Sequence, residues 1–420
     1  MTTKHIFIWQ SGEPLQIDKG KHNPMRAINL SEYLLKKNFK VTLISSNFDH
    51  TYKKFRFKGL YKFKKINLNK NFKLVLINSP GYKKNIGLSR LIDHFKLASN
   101  LKFFLSNNKE KVDFAVIGFP PIEPSIAFAS WLKKKKIPYI FDIKDLWPEY
   151  FYERIKNRII SFIIKILFIP HDIFLKRSLK KSIGITANNI FFLKYILKKI
   201  KRQKSPNDKV IYLTKPILNH KSLAFLKQIN FNKKNFNIYF CGRVNLEVFD
   251  FETVFKALKT LKTDKVNFHF YIGGYGEIYE LKKLIDKYKL NEKVTTLGFV
   301  NKYKHSNLLR NTDIFIAPFF NNLNFSSNLS NKFIESIQYN LPILTPLKKD
   351  VSRFILKNKI GDIYKEKNYK DLVKKIKIMI IGLNKNNSTK MNLNRLSNND
   401  FNHHNNYSKF LSIINILNET

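Results

Sequence analysis

The sequence predicts an α/β protein built from two doubly wound domains, each with a parallel sheet between layers of helices. Short apolar segments typical of buried strands alternate with amphipathic helical segments from the N-terminus onward, and this alternation is typical of βαβ units. The alternation pauses in the basic, weakly periodic stretch 214–235 and then restarts. We therefore expect a first domain over residues 1–215 and a second over residues 216–400, a division that suits a chain of 420 residues.

The first domain opens with a strand, helix and strand pattern over residues 5–46. The loop after the first strand is rich in Gly and Pro, and it lies at the sheet edge where doubly wound proteins bind ligands. Gly12, Gly20 and Arg26 suit the approach of a phosphate group to backbone N–H groups and a guanidinium, although an ordinary surface turn explains the loop almost as well.

A second polar cluster follows the predicted strand 139–141, where the sequence reads DIKDLWPE. Three carboxylates, a Lys and a Trp at the carboxyl end of a strand favour a place in a binding cleft. Asp145 and Glu149 are the candidate site residues of this cluster. Simple packing of the apolar Trp147 and Pro148 is the alternative.

Residues 153–181 mix Ile and Phe with Lys and Arg at helical spacing and break at Pro170. This pattern suits a helix pair that lies in a membrane interface with basic flanks at anionic headgroups. The alternative is a pair of helices that closes the core of the first domain, and the two are compatible. The apolar run is too short to span a bilayer.

In the second domain, two predicted strands each lead into a glycine-bearing turn. Gly242 and Arg243 follow the strand 236–241, and a G-G-x-G turn follows the strand 268–272. A strand, glycines and a helix start form a phosphate-binding geometry, although the short motif is weak by itself. The glycines concerned in the second turn are Gly273, Gly274 and Gly276.

The segment 326–346 carries the main candidate site. Phe333, Ile334 and Ile337 recur at helical spacing and should face a core, so that Glu335 lies off the apolar stripe and its removal should open no cavity. Residues 341–344 then suggest a strand that enters at a sheet edge.

The start of this helix suits a diphosphate, because free N–H groups and an ammonium meet there. The residues concerned are Ser330, Asn331 and Lys332. Glu335 lies one turn further on, where it can accept hydrogen bonds from ribose hydroxyls. A surface ion pair between Lys332 and Glu335 is the alternative.

Five elements in order, G-R, I-G-G-x-G-E, V-T-T-L-G-F-V, D-I-F-I-A-P and N-K-F-I-E, resemble the donor domain of retaining family-4 glycosyltransferases of the GT-B fold. The resemblance implies that Glu335 binds the nucleotide ribose and that Phe299, in the third element, belongs to the nucleotide site. It implies that Arg243 and Lys332 stabilise the departing diphosphate. Ser327 stands where the family has the first Glu of its E-x(7)-E motif, which contacts the donor sugar.

The same resemblance implies two Rossmann-like domains facing a central cleft, with residues 401–420 forming a helix that crosses back to the first domain. The stretches WQSGEPL, NPMRAINLSEYL and DIKDLWPE resemble a subgroup found in O-antigen and capsule synthesis, with Lys144 in place of an Arg. This resemblance implies a UDP-linked sugar donor, a polyprenyl-diphosphate-linked saccharide acceptor and retention of anomeric configuration.

Composition narrows the possible partners. The net charge is +47, which favours polyanions such as an anionic membrane surface or phosphorylated substrates. Signatures of RNA-binding modules are absent from the sequence, so no nucleic acid is expected. The sequence holds one Cys and no D-x-D, H-E-x-x-H or paired-Cys motif, so we expect no metal and no cofactor apart from the donor.

These features together predict a cytoplasmic glycosyltransferase, peripheral at the inner face of the cytoplasmic membrane. Two other classes stay open. One is a noncatalytic partner in a polysaccharide assembly complex, because the family's first Glu is missing. The other is a basic nucleic-acid-binding protein, which only the charge suggests.

Overall fold

The computed structural model describes residues 3–18, 24–85, 87–152, 155, 157–217, 231–232, 234–385 and 388–415. The chain divides into two units by internal contacts. The first unit comprises Met1–Leu213 and Tyr407–Thr420, and the second comprises Thr214–Asn406. Gly20 lies outside the described residues, so the prediction made for it is not addressed by the structure.

The first unit contains an eight-stranded sheet in the order β10-β9-β8-β7-β1-β2-β6-β5. All neighbouring strands are parallel except β5, which is antiparallel to β6. The strands are β1 (His5–Trp9), β2 (Lys40–Ser46), β5 (Phe63–Asn69), β6 (Phe72–Ile77), β7 (Phe114–Phe119), β8 (Tyr139–Ile143), β9 (Gly184–Ala187) and β10 (Lys209–Val210), and a small hairpin pairs β3 (Phe48–Asp49) with β4 (Lys54–Phe55).

Helices cover both faces of this sheet, and alternate side chains of β1 enter two different cores. Phe7 and Trp9 belong to one core and Ile6 and Ile8 to the other, as the two-residue period of a strand requires. The helices are α1 (Arg26–Leu35), α2 (Leu88–Ser106), α3 (Ile122–Lys134), α4 (Glu149–Tyr152), α5 (Arg158–Leu167), α6 (Ile169–Lys181), α7 (Ile190–Lys199) and, from Tyr407 onward, α16 (His403–Asn415).

The second unit contains a six-stranded parallel sheet in the order β13-β12-β11-β14-β15-β16. Its strands are β11 (Phe236–Cys241), β12 (Phe268–Gly273), β13 (Val294–Gly298), β14 (Ile314–Ile316), β15 (Ile343–Thr345) and β16 (Gly361–Ile363). Its helices are α8 (Phe251–Thr263), α9 (Ile278–Lys287), α10 (Lys302–Asn311), α11 (Leu323–Ser327), α12 (Asn331–Gln338), α13 (Lys349–Asn358), α14 (Tyr369–Lys385) and α15 (Ser388–Asn398).

The strand predicted at a sheet edge after α12 is an interior strand. β15 pairs with β14 on one side and with β16 on the other. Pro342 precedes the strand and therefore costs no hydrogen bond inside the sheet. Asn340, which follows α12, has a φ angle of 58°, in the left-handed region that Asn tolerates at the end of a helix.

Strand order places a switch point in each unit, and ligands of doubly wound sheets bind at such points. In the second unit the chain runs from β11 to β12 on one side and later returns to β14 on the other side of β11. In the first unit β2 and β7 flank β1 in the same way. The loops after β11 and after β1 are thus the first places to look for a site.

Candidate active site

Two glycine-bearing loops meet at the switch point of the second unit. The N–H of Gly242 donates to the Gly273 carbonyl at 2.9 Å, and the N–H of Gly274 donates to the Gly298 carbonyl at 2.7 Å. Gly274 has a φ angle of 146°, and a Cβ there would collide with the carbonyl oxygen of Gly242. Glycine at 274 is therefore needed for the close approach of the loops. Because their N–H groups are used between loops, Gly242 and Gly274 shape the site instead of donating to a ligand.

Lys332 fills the space beside the first of these loops. A Cβ on Gly242 would lie 2.8 Å from the Lys332 Nζ atom, and this Nζ lies 5.5 Å from the ring centre of Phe249 and 5.9 Å from that of Phe319. Burial lowers the pKa of the Lys332 ammonium, because a charge is costly away from water. An anion bound beside Nζ would relieve that cost.

The other predicted residues of this region differ in exposure. Arg243 and Gly276 are exposed, Phe299 is half-buried and Gly273 is buried. Gly273 is the last residue of β12, so it lies at the edge of the sheet where the switch point is. The predicted site residues of this region therefore lie at different depths, with Arg243 at the surface and Gly273 in the interior.

The segment that leads into α12 carries several buried polar atoms without a hydrogen-bond partner among the described residues. They are Asn324 Oδ1, Ser327 Oγ, Ser330 Oγ and Asn331 Oδ1. Ser330 is the N-cap residue of α12, yet its side chain makes no capping hydrogen bond. An unsatisfied buried polar group costs about 1–3 kcal/mol, so these four atoms are the places in this segment where water or a bound ligand would supply hydrogen bonds.

Glu335 is buried, with 8% of the residue exposed. Its Oε1 accepts a hydrogen bond from the Lys215 ammonium, and its Oε2 lies 2.5 Å from His305 Nε2. The proposed surface ion pair with Lys332 is therefore wrong. The expectation that removing Glu335 would open no cavity is wrong for the same reason. The residue lies off the apolar stripe, but Lys215 and α10 cover it.

The partners of Glu335 set its charge. Burial by itself would raise the pKa of this carboxyl, but Lys215 and His305 outweigh burial and hold the pKa well below its usual range. Burial would likewise lower the pKa of His305, but the Cys241 sulfur and the Glu335 carboxylate raise it to about 10. At neutral pH the site therefore holds a carboxylate beside an imidazolium and an ammonium.

In the first unit, Lys144 joins the loop after β1 to the strand end of β8. Its ammonium pairs with Glu13 Oε1 and lies 2.5 Å from Gln10 Oε1. The second Glu13 oxygen accepts the Ala27 N–H at 2.8 Å, a donor at the start of α1. Gly12, in the same loop, has a φ angle of 77° and faces open space.

Arg26 does not face a phosphate site, contrary to the interpretation of the loop. Only 2% of the residue is exposed. Its guanidinium donates to the Ile211 carbonyl and lies 3.3 Å from Asp142. The aromatic rings of Tyr407 and Phe410 cover it at 5.7 and 5.4 Å. Arg26 instead joins α1, β8 and the C-terminal helix within the first unit.

Glu149 takes part in an ion-pair network among helices. Its Oε1 accepts from Lys199 Nζ at 2.7 Å and from the Tyr195 hydroxyl at 2.9 Å, and the same Nζ lies 2.7 Å from Asp172. This network ties α4, α6 and α7 together. Glu149 Oε2 is buried without a partner among the described residues, while Asp145 is half-buried beside it in the chain.

Sequence reasoning missed the residues that surround Glu335. His305 falls four residues before Leu309 on the apolar side of α10, and that position marks it as buried. Lys215 lies in the basic stretch between the domains, where pattern gives no signal. Only the fold brings these two side chains to Glu335.

Within the described ranges, every helix is too short or too polar to span a bilayer. In the same part of the chain, His, Cys, Asp and Glu side chains form no group of three that could hold a metal ion.

The class of the protein follows from its fold and from one family match. Residues 223–393 match the family of group 1 glycosyl transferases, and these residues include the glycine loops, Lys332 and Glu335. The whole chain adopts the GT-B fold of two Rossmann-like units. The protein is therefore a glycosyltransferase, a transferase of class EC 2.4.

Several solved structures resemble the chain along its length. A sucrose-phosphate synthase from Thermosynechococcus elongatus is 11% identical, with 99% of each chain covered and a TM-score of 0.68. Anabaena Alr3699/HepE in complex with UDP is 11% identical, with both chains fully covered and a TM-score of 0.63. WaaG, a glycosyltransferase involved in lipopolysaccharide biosynthesis, is 12% identical over 99% of this chain and 100% of its own, with a TM-score of 0.62. No curated protein sequence gives a significant match.

Proposed function

We propose that this protein moves a sugar from a UDP-linked donor to a lipid-linked saccharide, with retention of anomeric configuration, in cell-surface polysaccharide synthesis. The observation that carries the donor part is the group of unpartnered buried polar atoms around the start of α12, next to the half-buried Lys332. A nucleoside diphosphate sugar supplies both the anion and the hydroxyl groups that such a surface lacks.

The donor would lie along the start of α12. Its diphosphate would meet Lys332, Arg243 and the N-terminal N–H groups of the helix, where negative charge is favoured. Its ribose hydroxyls would bind the Glu335 carboxylate. The donor sugar would contact Ser327 and its neighbours, which stand where relatives carry the first Glu of their motif. That UDP is present in one structural neighbour, Anabaena Alr3699/HepE, supports the choice of nucleotide.

Departure of UDP needs positive charge that is already in place. Lys332 and Arg243 provide it without a metal ion, so we propose metal-independent transfer. Asp145 and Glu149 are the proposed acceptor-site residues. Glu149 has one oxygen engaged with Lys199 and one without a partner among the described residues, and that second oxygen is the one available to an acceptor hydroxyl.

We further propose that α5 and α6 bind an anionic membrane surface, where a polyprenyl-diphosphate-linked acceptor would be found. The large apolar side chains exposed on these helices are Ile159, Phe162, Ile163, Ile166, Leu167, Ile169, Ile173 and Phe174. α6 also sends Leu175 and Leu179 into the core. The core interpretation therefore applies to the buried face of α6, and the membrane proposal concerns the exposed face of α5 and α6.

The basic side chains of the pair complement the apolar ones. Arg158, Lys165 and Lys181 are exposed beside them, and each Lys or Arg near an anionic surface contributes about 1 kcal/mol. The charge and the apolar face together favour headgroups over a protein partner of neutral surface. This arrangement is the basis for a cytoplasmic, peripheral location.

The test is a binding and turnover series on the full-length protein. We expect UDP to bind by calorimetry and a panel of UDP-sugars to be consumed when polyprenyl-diphosphate saccharides are supplied in anionic vesicles, with and without EDTA. Nuclear magnetic resonance of the product should show the anomeric configuration of the donor. Absence of UDP binding would overturn the donor site, and UDP binding without any sugar transfer would favour the noncatalytic partner.

A further inference from the structure

A chain of buried hydrogen bonds runs behind Glu335. The Tyr239 hydroxyl lies 2.7 Å from His305 Nδ1, and His305 Nε2 lies 2.5 Å from Glu335 Oε2. Tyr239 is fully buried at the centre of β11, and 9% of His305 is exposed. Three different elements, β11, α10 and α12, therefore contribute one link each.

The proton positions in this chain follow from its charges. Beside the Glu335 carboxylate, His305 carries both ring protons, so Nε2–H donates to Glu335 and Nδ1–H donates to the Tyr239 oxygen. The Cys241 sulfur also interacts with the Tyr239 hydroxyl and with His305. With both nitrogens engaged, the imidazole ring cannot rotate without losing a partner.

This arrangement leaves hydrogen-bond acceptor sites of Glu335 unused. A carboxylate has about four acceptor sites. His305 takes one of them on Oε2, and Lys215 takes one on Oε1. One site on each oxygen remains, and two adjacent acceptors match the two vicinal hydroxyls of a ribose.

His305 and Lys215 differ in how firmly they are held. The Lys215 side chain is 23% exposed, whereas that of His305 is 11% exposed and is fixed at its other nitrogen. A flexible lysine side chain can shift when a ligand arrives. The buried imidazolium cannot, so it is the partner that determines where Oε2 points.

We propose that His305, held by Tyr239, is a positioning residue that fixes the Glu335 carboxylate for recognition of the donor ribose. The inference rests on the proposed donor site, and it adds that ribose selectivity depends on two residues that do not touch the nucleotide. Glu335 without this support would keep its charge through Lys215 but lose its fixed orientation.

The experiment compares the affinities of UDP, 2′-deoxy-UDP and UMP for the wild-type protein and for His305→Leu, His305→Gln and Tyr239→Phe. The wild type should prefer UDP over 2′-deoxy-UDP by about tenfold or more, since a hydrogen bond to a charged group is lost. His305→Leu should bring this ratio close to one. His305→Gln keeps a donor for Glu335 and should retain an intermediate ratio, and Tyr239→Phe should reduce the ratio by a smaller factor.

Two comparisons separate positioning from general damage. The preference for UDP over UMP reports the diphosphate at Lys332 and should change little in every variant. His269→Leu removes another half-buried histidine of the same unit, hydrogen-bonded to Thr295 at 2.8 Å, and should leave both ratios unchanged.

The possible outcomes distinguish a failure of the His305 role from a failure of the proposed donor site. A wild type that does not bind UDP overturns both. If the wild type prefers UDP over 2′-deoxy-UDP and the variants keep the full preference, the proposed role of His305 is wrong and the donor site is still supported. If His305→Leu fails to fold, the Gln and Phe variants decide by the same ratio.

Discussion

Lys332 occupies the place where a side chain on Gly242 would stand. A Cβ at position 242 would lie 2.8 Å from the Lys332 Nζ and closer still to its Cε. The glycine after β11 is thus required by a lysine on α12, about ninety residues later in the chain. This relationship joins the two motifs that sequence analysis assigned separately to the diphosphate.

Gly242→Ala should therefore weaken UDP binding by displacing Lys332. We expect a loss of about tenfold, since a charge-assisted contact is misplaced, not removed. Calorimetric titration with UDP measures the effect. Gly382→Ala is the control, because a Cβ there meets nothing within 4 Å on the exposed side of α14, and it should leave the affinity unchanged. Equal UDP affinity in both variants would contradict the placement of Lys332.

Glu335→Gln should lower stability and change its dependence on pH. The folded protein holds the pKa of Glu335 well below its usual range, so the contribution of this carboxylate is present above pH about 4.3 and is lost as the pH falls further. The variant should be less stable at pH 7 by a few kcal/mol. Its free energy of unfolding should then fall less steeply between pH 5 and pH 3, as measured with urea.

Glu252→Gln is the matched control for this experiment. The pKa of Glu252 is also lowered, first by the Tyr288 hydroxyl and then by Lys287, but 46% of its side chain is exposed. Solvent screens such a pair, so its removal should change stability much less at either pH. Equal losses of unfolding free energy in the two variants would mean that the burial of Glu335 does not increase its contribution to stability.

Much of the fold could be predicted because its signals are local. β2 and β11 occupy the predicted residues, since a short apolar run between polar loops has few alternatives in an α/β chain. The place of β15 inside the sheet was mispredicted, because the order of strands depends on pairing with β14 and β16 and not on the residues of β15 itself.

The candidate site was predictable only in part, for the same reason. The spacing of Lys332 and Glu335 on one helix is a local property, whereas their partners are not. Glu335 finds Lys215 and His305 at separations of 120 and 30 residues. A surface glutamate and a buried one have the same local pattern, so burial had to come from the tertiary structure.

Phe162→Asp and Ile163→Asp should abolish binding to anionic vesicles without unfolding the protein. Phe162 is 64% exposed and Ile163 is 50% exposed, so a charged side chain at either position opens no cavity in the protein. Each substitution removes an apolar side chain whose burial in the membrane would contribute about 1.5–3 kcal/mol to binding. Vesicle sedimentation and thermal unfolding measure the two effects. Met391→Asp, at an exposed position on α15, should affect neither, and loss of folding in the α5 variants would assign this face to the core.

Lys199→Met should destabilise the first unit while leaving UDP affinity intact. Burial would lower the pKa of Lys199, but Glu149 and Asp172 outweigh it and raise the pKa, so the ammonium is the charge that holds both carboxylates. Its removal leaves Glu149 with the Tyr195 hydroxyl and Asp172 with Lys176, so the loss of this charge should cost about 1–3 kcal/mol. Thermal unfolding and UDP titration give the comparison. A variant with normal stability would contradict the network as the link among α4, α6 and α7.

Ser327→Ala should make the protein more stable and a poorer catalyst. Ser327 is 3% exposed, and its hydroxyl has no hydrogen-bond partner among the described residues. Replacing it by a methyl group removes an unsatisfied polar atom, so the free energy of unfolding should rise by about 1 kcal/mol. If the hydroxyl serves the donor sugar, turnover of UDP-sugars should fall while affinity for UDP, which lacks the sugar, stays the same.

Ser306→Ala is the control with the opposite expectation. Its hydroxyl donates to the Lys302 carbonyl at 2.9 Å and lies 2.8 Å from the Tyr339 hydroxyl, so its removal should cost about 1 kcal/mol of stability and leave turnover unchanged. Urea unfolding and initial rates with UDP-sugars measure both variants. A Ser327→Ala protein that is less stable and equally active would mean that this hydroxyl is satisfied by water and has no part in sugar recognition.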